Sequence, residues 1–209
     1  MAGIAEAVGV SKATLYLYVE SKDALLWLCV EHADDSSQIA RPDVLPVSTP
    51  PPGRMAEALE ARILELAGFP VLVAALREPR AQDIRQELYD VLDELYTLLE
   101  ANCRAVRMLE RCSDHPEIGP LWHAKVRAPG RGEMVRYVAS RVEAGQLRQV
   151  ENPQLASRIA LETIATWAMH IKWDRAPEFY DPVSTKAFVI EQVSRGLLPD
   201  AVLRRSGTR

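Results

Sequence analysis

The sequence predicts an all-α protein: an N-terminal helix-turn-helix followed by a C-terminal helical bundle. Three observations carry that reading. Leucine, alanine, valine, glutamate and arginine dominate, while aromatic residues make up only 6% of the 209, a mix that favours helix over sheet. Apolar residues recur at three- and four-residue spacing over long stretches. A glycine followed by a capping serine separates two short periodic stretches near the start.

Composition narrows the function classes. A hydrophobic content of 48% and a charged content of 26% suit a soluble chain with a sizeable core. No apolar run approaches the roughly 20 residues of a membrane span, and no basic-then-apolar signal segment is present. Cys29, Cys103 and Cys112 form no disulfide framework. The expected location is therefore the cytoplasm, with no membrane partner. The net charge of −4 argues against a surface coated throughout for nucleic acid.

The first elements follow from local chemistry. Ile4, Ala5 and Val8 share one helical face, and Gly9 stands where a helix commonly ends. Ser11 reads as the next N-cap, with Val10 and Leu15 at the spacing of a hydrophobic staple. Leu15 and Val19 are four apart and face inward together. Lys12, Ala13, Thr14, Tyr16 and Leu17 are left pointing outward. A short helix with a small, hydrogen-bonding outer face fits the major groove of DNA.

These residues also resemble a family. The run GVSKATLYLYVESKDALL (residues 9–26), with Ile4 and Ala5 before it, resembles the DNA-binding signature of the TetR (tetracycline-repressor) family of bacterial regulators. The matching pieces are Ile4-Ala5, Gly9-Val10-Ser11, Thr14-Leu15-Tyr16, Ser21-Lys22 and Ala24-Leu25-Leu26. Val19 stands where the family usually carries an aromatic residue, and Tyr18 where it often carries histidine. The resemblance implies a homodimer whose two heads bind double-stranded DNA at a palindromic operator, as a repressor released by a small effector. It implies DNA contacts from Ser11, Lys12, Ala13, Thr14, Tyr16, Leu17, Tyr18 and Lys22, the last to the phosphate backbone. It also implies one more helix ahead of Ile4, so the expected start of the protein lies upstream of Met1.

Electrostatics temper the expectation. From Met1 to Val30, Lys12 and Lys22 stand against Glu6, Glu20 and Asp23, a net charge of −1. Phosphate attraction supplies most non-specific affinity for DNA, so a single head of this charge binds weakly. The alternative is a dimeric ligand-binding or interaction protein that no longer binds DNA.

The domains expected are a head at residues 1–40, a proline-rich linker at 41–53, an effector-binding and dimerisation body at 54–200 and a tail at 201–209. Ser21 caps a third helix that runs to about Ala33, with Leu25, Leu28 and Cys29 inward. The linker, RPDVLPVSTPPPG, reads as extended and exposed because its prolines cannot donate hydrogen bonds. Met55, Leu59, Ile63 and Leu66 mark the next helix, up to Phe69; Pro70 interrupts, a short apolar piece from Val71 to Leu76 follows, and Pro79 interrupts again. The pattern Ile84, Leu88, Val91, Leu95, Leu98, Asn102, Val106, Leu109 predicts one long helix over residues 81–111. Residues 121–126 read as a helical piece broken at Pro129-Gly130, and Met134, Val138 and Val142 carry the helix after it. The turn at residues 143–148 resembles the one before the family's dimerisation helices. Asn152 caps and Pro153 opens a helix to about Trp173, and the final helix covers residues 183–198. Two apolar stripes on the former and one on the latter predict a four-helix dimer interface of Leu155, Ile159, Thr163, Phe188, Val189, Val193, Gly196 and Leu197.

Bulky or polar groups among the apolar stripes suggest a pocket for a mostly apolar effector. The candidates are Tyr89, Tyr96, Cys103, Arg107, Trp122, Met134, Trp167, Met169 and His170, with Arg107 or His170 as polar anchor. Enzymatic chemistry is not expected: the chain has no nucleophile elbow and no phosphate-binding glycine loop. Cys112, His115 and His123, with Cys103 earlier, lack the paired short spacings of a zinc site, so neither metal nor cofactor is expected.

Overall fold

The structure is a computed structural model that describes residues 1–32, 42–66, 68–176 and 178–204. Among the described residues it is all-α, with a single isolated β-bridge between Val19 and Val47. The helices are α1 (Ala2–Ala7), α2 (Lys12–Tyr16), α3 (Lys22–His32), α4 (Arg54–Leu66), α5 (Pro70–Arg77), α6 (Ile84–Ala101), α7 (Cys103–Arg111), α8 (Ile118–Leu121), α9 (Ala128–Glu143), α10 (Pro153–Ala168), α11 (Pro182–Leu197) and α12 (Asp200–Arg204). A π-helical turn, Trp122–Arg127, precedes α9, and a 3-10 turn, His170–Trp173, follows α10. The expected end of α3 at Ala33, the first linker residue Arg41 and tail residues 205–209 lie outside the described residues, as does the side chain of Leu66. Backbone contacts gather the chain into two compact units, residues 1–67 with 104–125, and residues 68–103 with 126–209.

In the first unit α1 packs on α2, α3 on α4, and α4 on α8. Met55, Leu59 and Ile63 are buried along α4 as its periodicity requires, together with Leu109, Ile118 and Trp122. The carboxylate of Glu117 accepts from the Gly53 and Ala56 amides, both at 3.1 Å, and so satisfies donors at the start of α4. Gly119 cannot be anything larger: a Cβ there would lie 2.0 Å from the Ser113 carbonyl oxygen.

Two expectations need correction in this unit. Burial along α3 falls on Ala24 and Val30, which differ by about a third of a turn in azimuth. The helix is therefore covered from two directions rather than along one stripe; Leu25 and Leu28 are half-buried and Cys29 is exposed. The described part of the linker is not simply extended into solvent. Val47, Ser48 and Thr49 retain amide donors between Pro46 and Pro50, and two of the three are used. Val47 donates to the Tyr18 carbonyl at 2.8 Å and accepts from Glu20 at 2.9 Å. Thr49 donates to the Glu20 carboxylate at 2.7 Å, and its hydroxyl meets that of Ser21 at 2.7 Å.

In the second unit α10 lies against α6, α9 and α11, α11 also touches α6, and α5 packs on α6 and α9. Leu88, Leu92, Tyr96, Met134, Val138, Ile164, Val189 and Ile190 fill the space between them. Arg141, which no periodicity or motif singles out, is fully buried on α9. Its Nε donates to Glu87 Oε1 at 2.7 Å, and its two terminal nitrogens donate to the Ala75 carbonyl at 2.6 Å and the Glu78 carbonyl at 3.0 Å. One guanidinium thus ties the end of α5 and the start of α6 to α9.

The long helix expected over residues 81–111 is two helices. Asn102 ends α6 with φ −104° and ψ 19°, and its side-chain amide donates to the Leu98 carbonyl at 2.9 Å. That bond competes with the backbone ladder, which is why asparagine disfavours helix interiors. Conversely, Pro129-Gly130 breaks nothing. The π-helical turn runs into α9 with Pro129 in its first turn, where no amide donor is required. Helix α10 stops at Ala168 because Met169 turns to φ −133° and buries its side chain. Its start matches the expectation: Asn152 Oδ1 accepts from the Leu155 amide at 2.9 Å and Pro153 takes the first position.

Candidate nucleic-acid interface and apolar faces

The end of α1 is closed by backbone hydrogen bonds. Gly9, at φ +70°, donates to the Glu6 carbonyl at 3.2 Å, and Val10 donates to the Ala5 carbonyl at 3.0 Å. This is a Schellman closure, which needs a left-handed residue at the position Gly9 fills. Ser11 then adopts an extended conformation, and its Oγ accepts from the Thr14 amide at 3.0 Å. The Thr14 hydroxyl lies 2.8 Å from the same oxygen. The turn and the cap are those the sequence predicts, and together they fix where α2 starts.

Ser11, Lys12, Ala13, Tyr16, Leu17, Tyr18 and Lys22 are all exposed, and Thr14 is half-buried. Lys12 Nζ sits 5.9 Å from the centroid of the Tyr16 ring, so the two share a side of α2. Ser21 Oγ accepts from the Ala24 amide at 3.0 Å and caps α3, which places Lys22 at the first helical position. The inward side differs from expectation. Ala5 and Val19 are buried, but Ile4 and Leu15 are only half-buried, and Val8 and Val10 are exposed. Val8 is the C-cap of a six-residue helix, so its side chain lies past the last turn that could pack.

On α10 and α11 the predicted dimer residues divide. Leu155, Ile159 and Phe188 are 56, 59 and 64% exposed, Gly196 is exposed, and Thr163 and Val193 are half-buried. A groove of about 290 Å³ runs between the two helices, lined by Ile159, Thr163, Val193 and Gly196 among others. Val189 and Leu197 are the exceptions. Both are buried in the unit's own core, because the second stripe of α11 faces α6 and α10.

The effector candidates have varied surroundings. In the second unit Tyr96 is buried and its hydroxyl donates to the Trp167 carbonyl at 3.3 Å, while Met134 and Met169 are buried. Tyr89 lies under the Arg85 guanidinium, 5.4 Å away, and Trp167 meets Tyr180 edge-on at 5.8 Å. Cys103 Sγ is 3.7 Å from Lys172 Nζ, and His170 is half-buried. Arg107 and Trp122 belong to the first unit, where Trp122 is buried and its indole N–H has no hydrogen-bond partner among the described residues. None of these residues lines the groove of about 660 Å³ that runs along the outer face of α6. That groove carries Asp90, Asp93, Glu94 and Thr97, none of which residue type alone had singled out.

Among the described residues no helix is long and apolar enough to cross a membrane. His115 Nε2 lies 3.8 Å from Asp23 Oδ1, and no cluster of three or more histidine, cysteine or carboxylate groups that could hold a metal occurs among the described residues. Comparison of the chain with protein-family models, with curated proteins and with solved structures finds no match.

Proposed function

We propose that the chain is a cytoplasmic, homodimeric, DNA-binding transcriptional regulator of the TetR type, a repressor released from a palindromic operator by a small effector. The observation that carries this reading is the Gly9 closure followed by the Ser11 cap, which leaves Lys12, Ala13 and Tyr16 exposed on one short helix and Leu17 exposed at its C-cap. A helix of that kind contacts base edges from its N-terminal turn, while Lys22 and the hydroxyls of Ser11 and Tyr16 meet phosphates.

The exposed apolar side chains of α10 and α11 support the dimer. Covering what remains exposed of Leu155, Ile159 and Phe188 stabilises by roughly 1–2 kcal/mol each, since about two-fifths of each is already covered. Two such helix pairs across a twofold axis form a four-helix bundle, and the heads then read half-sites about one DNA turn apart.

The test combines sedimentation with gel shift on the DNA upstream of the protein's own gene. The unchanged chain sediments as a dimer and shifts that DNA more strongly at low salt than at high salt. Ile159→Asp with Phe188→Asp yields monomer and abolishes the shift; Lys12→Ala with Tyr16→Ala abolishes the shift and leaves the dimer. A stable dimer that shifts no DNA at low salt refutes the regulator. The second reading, a dimeric ligand-binding or interaction protein, then stands. It is favoured by the net charge of −1 over residues 1–30 and by the exposure of Val8, Val10 and Leu17 there.

A further inference from the structure

The outer face of α6 holds an ammonium site that one of the protein's own lysines already uses. Lys186 Nζ, reaching from α11, lies 2.6 Å from Asp93 Oδ1 and donates to Thr97 Oγ1 at 2.8 Å. The face of the Tyr96 ring is 5.7 Å below it. A carboxylate, a hydroxyl and an aromatic face are the three groups that recognise a primary ammonium. Asp93 and Thr97 also line the groove of about 660 Å³ along α6, whose surface is mostly apolar through Pro70, Val71, Leu98 and Ala101. Asp90 stands one helical turn before Asp93 on the same wall, where its Oδ1 accepts from Gln86 Nε2 at 2.8 Å and leaves the second carboxylate oxygen for a ligand. Glu94 is committed elsewhere, since its carboxylate accepts from the Val71 and Leu72 amides at 2.8 and 3.1 Å.

We propose that this groove binds an amphiphilic primary ammonium, with its alkyl body on Val71 and Leu98 and its head group between Asp90 and Asp93, in competition with Lys186. Charge sets the class of ligand. A carboxylate-bearing molecule meets two aspartates on the groove wall, whereas an ammonium replaces one already held there. The volume suits a chain of several carbons, since ligand pockets begin at about 300 Å³. The site is independent of whether the head binds DNA, and its test needs only the protein.

The experiment titrates the full chain with hexylammonium, using hexan-1-ol, hexanoate and ammonium chloride as controls, by calorimetry and by amide chemical shifts. Hexylammonium binds saturably, shifts the amides of Val71, Thr97 and Leu98, and exceeds each control at least about tenfold, the lower end of what one charged hydrogen bond supplies. Asp93→Asn weakens it by a similar factor. Lys186→Gln tightens it, because the tethered competitor is gone. If Asp93→Asn lowers the melting temperature, Asp90→Asn reads the same charge dependence without touching the α11 contact. Equal binding of hexan-1-ol overturns the charge argument, and equal binding of ammonium chloride overturns the apolar body. Unchanged or weaker binding in Lys186→Gln overturns the competition.

Discussion

Removing the buried guanidinium of Arg141 is the sharpest test of how the second unit is held together. Arg141→Leu keeps much of the apolar volume and deletes every hydrogen bond of the group. It leaves the Glu87 carboxylate without its partner at 2.7 Å, and the Ala75 and Glu78 carbonyls without donors at 2.6 and 3.0 Å. Breaking a buried pair from one side costs about 3–5 kcal/mol, because a charge is stranded rather than because the pair itself is strong. Domains of this size unfold at about 5–15 kcal/mol, so the variant loses a large share of its stability. Glu87 keeps a side-chain exposure of 18%, so partial hydration places the expected loss near 3 kcal/mol, the lower end of that range. The assay is urea unfolding at fixed protein concentration, followed in parallel by circular dichroism and tryptophan fluorescence. Arg141→Leu with Glu87→Leu removes both charges, and its stability returns most of the way to that of the unchanged chain. A loss below about 1 kcal/mol for the single variant, or a double variant that loses the sum of both singles, refutes the reasoning.

Three further predictions rest on local physics. Burial, with Glu87 nearby, pushes the Tyr137 phenol far above its ordinary range, so its contribution to stability is complete below the unfolded value near 10 and is lost as pH rises beyond it. Tyr137→Phe flattens that alkaline fall in urea midpoints measured from neutral to strongly basic pH, and an unchanged fall counts against it. The Gly53 amide, with Ala56 and His115 adding to it, holds the Glu117 carboxyl below the usual carboxylate range. Its contribution is therefore present above the unfolded value near 4.5 and disappears as pH falls through the lower folded one. Glu117→Gln weakens the start of α4, read as faster amide exchange at residues 53–56, and flattens the acid limb of the stability curve. Gly9→Ala meets no steric obstacle, since nothing lies within 4 Å of the added carbon. Its cost is the left-handed conformation alone, about 1 kcal/mol, seen as a lower melting temperature.

Why some of this was legible in the sequence and some was not follows from the range of the interactions. The Gly9 turn, the Ser11 cap and the Asn152-Pro153 start each need only residues within a few positions, so local chemistry settles them. The all-α class follows from the same kind of information summed along the chain. The pairing of Val47 with Tyr18 and Glu20 is carried by backbone groups, which look the same in every residue. Arg141 is worse placed still: its partners are one carboxylate 54 residues away and two carbonyls, and an arginine on a predicted helix is ordinarily a surface residue. Asn102 lost to the periodicity around it, since a sustained apolar face continued past a residue that ends helices.

Periodicity finds stripes, but it does not say which neighbour each stripe meets. On α11 that ambiguity places Val189 and Leu197 with Phe188 in the predicted interface, although they belong to the internal core. On α6 it worked in the opposite direction. Asp90, Asp93 and Thr97 occupy the polar face of an amphipathic helix, where charge is expected and carries no information about binding. Their meaning comes from Lys186, which is 89 residues beyond Thr97 in the chain and is brought over that face by the packing of α11 on α6. An acidic helix face becomes a candidate site only when the fold sets an apolar floor and a competing cation beside it. The Lys186→Gln titration therefore probes the step that sequence reasoning could not take.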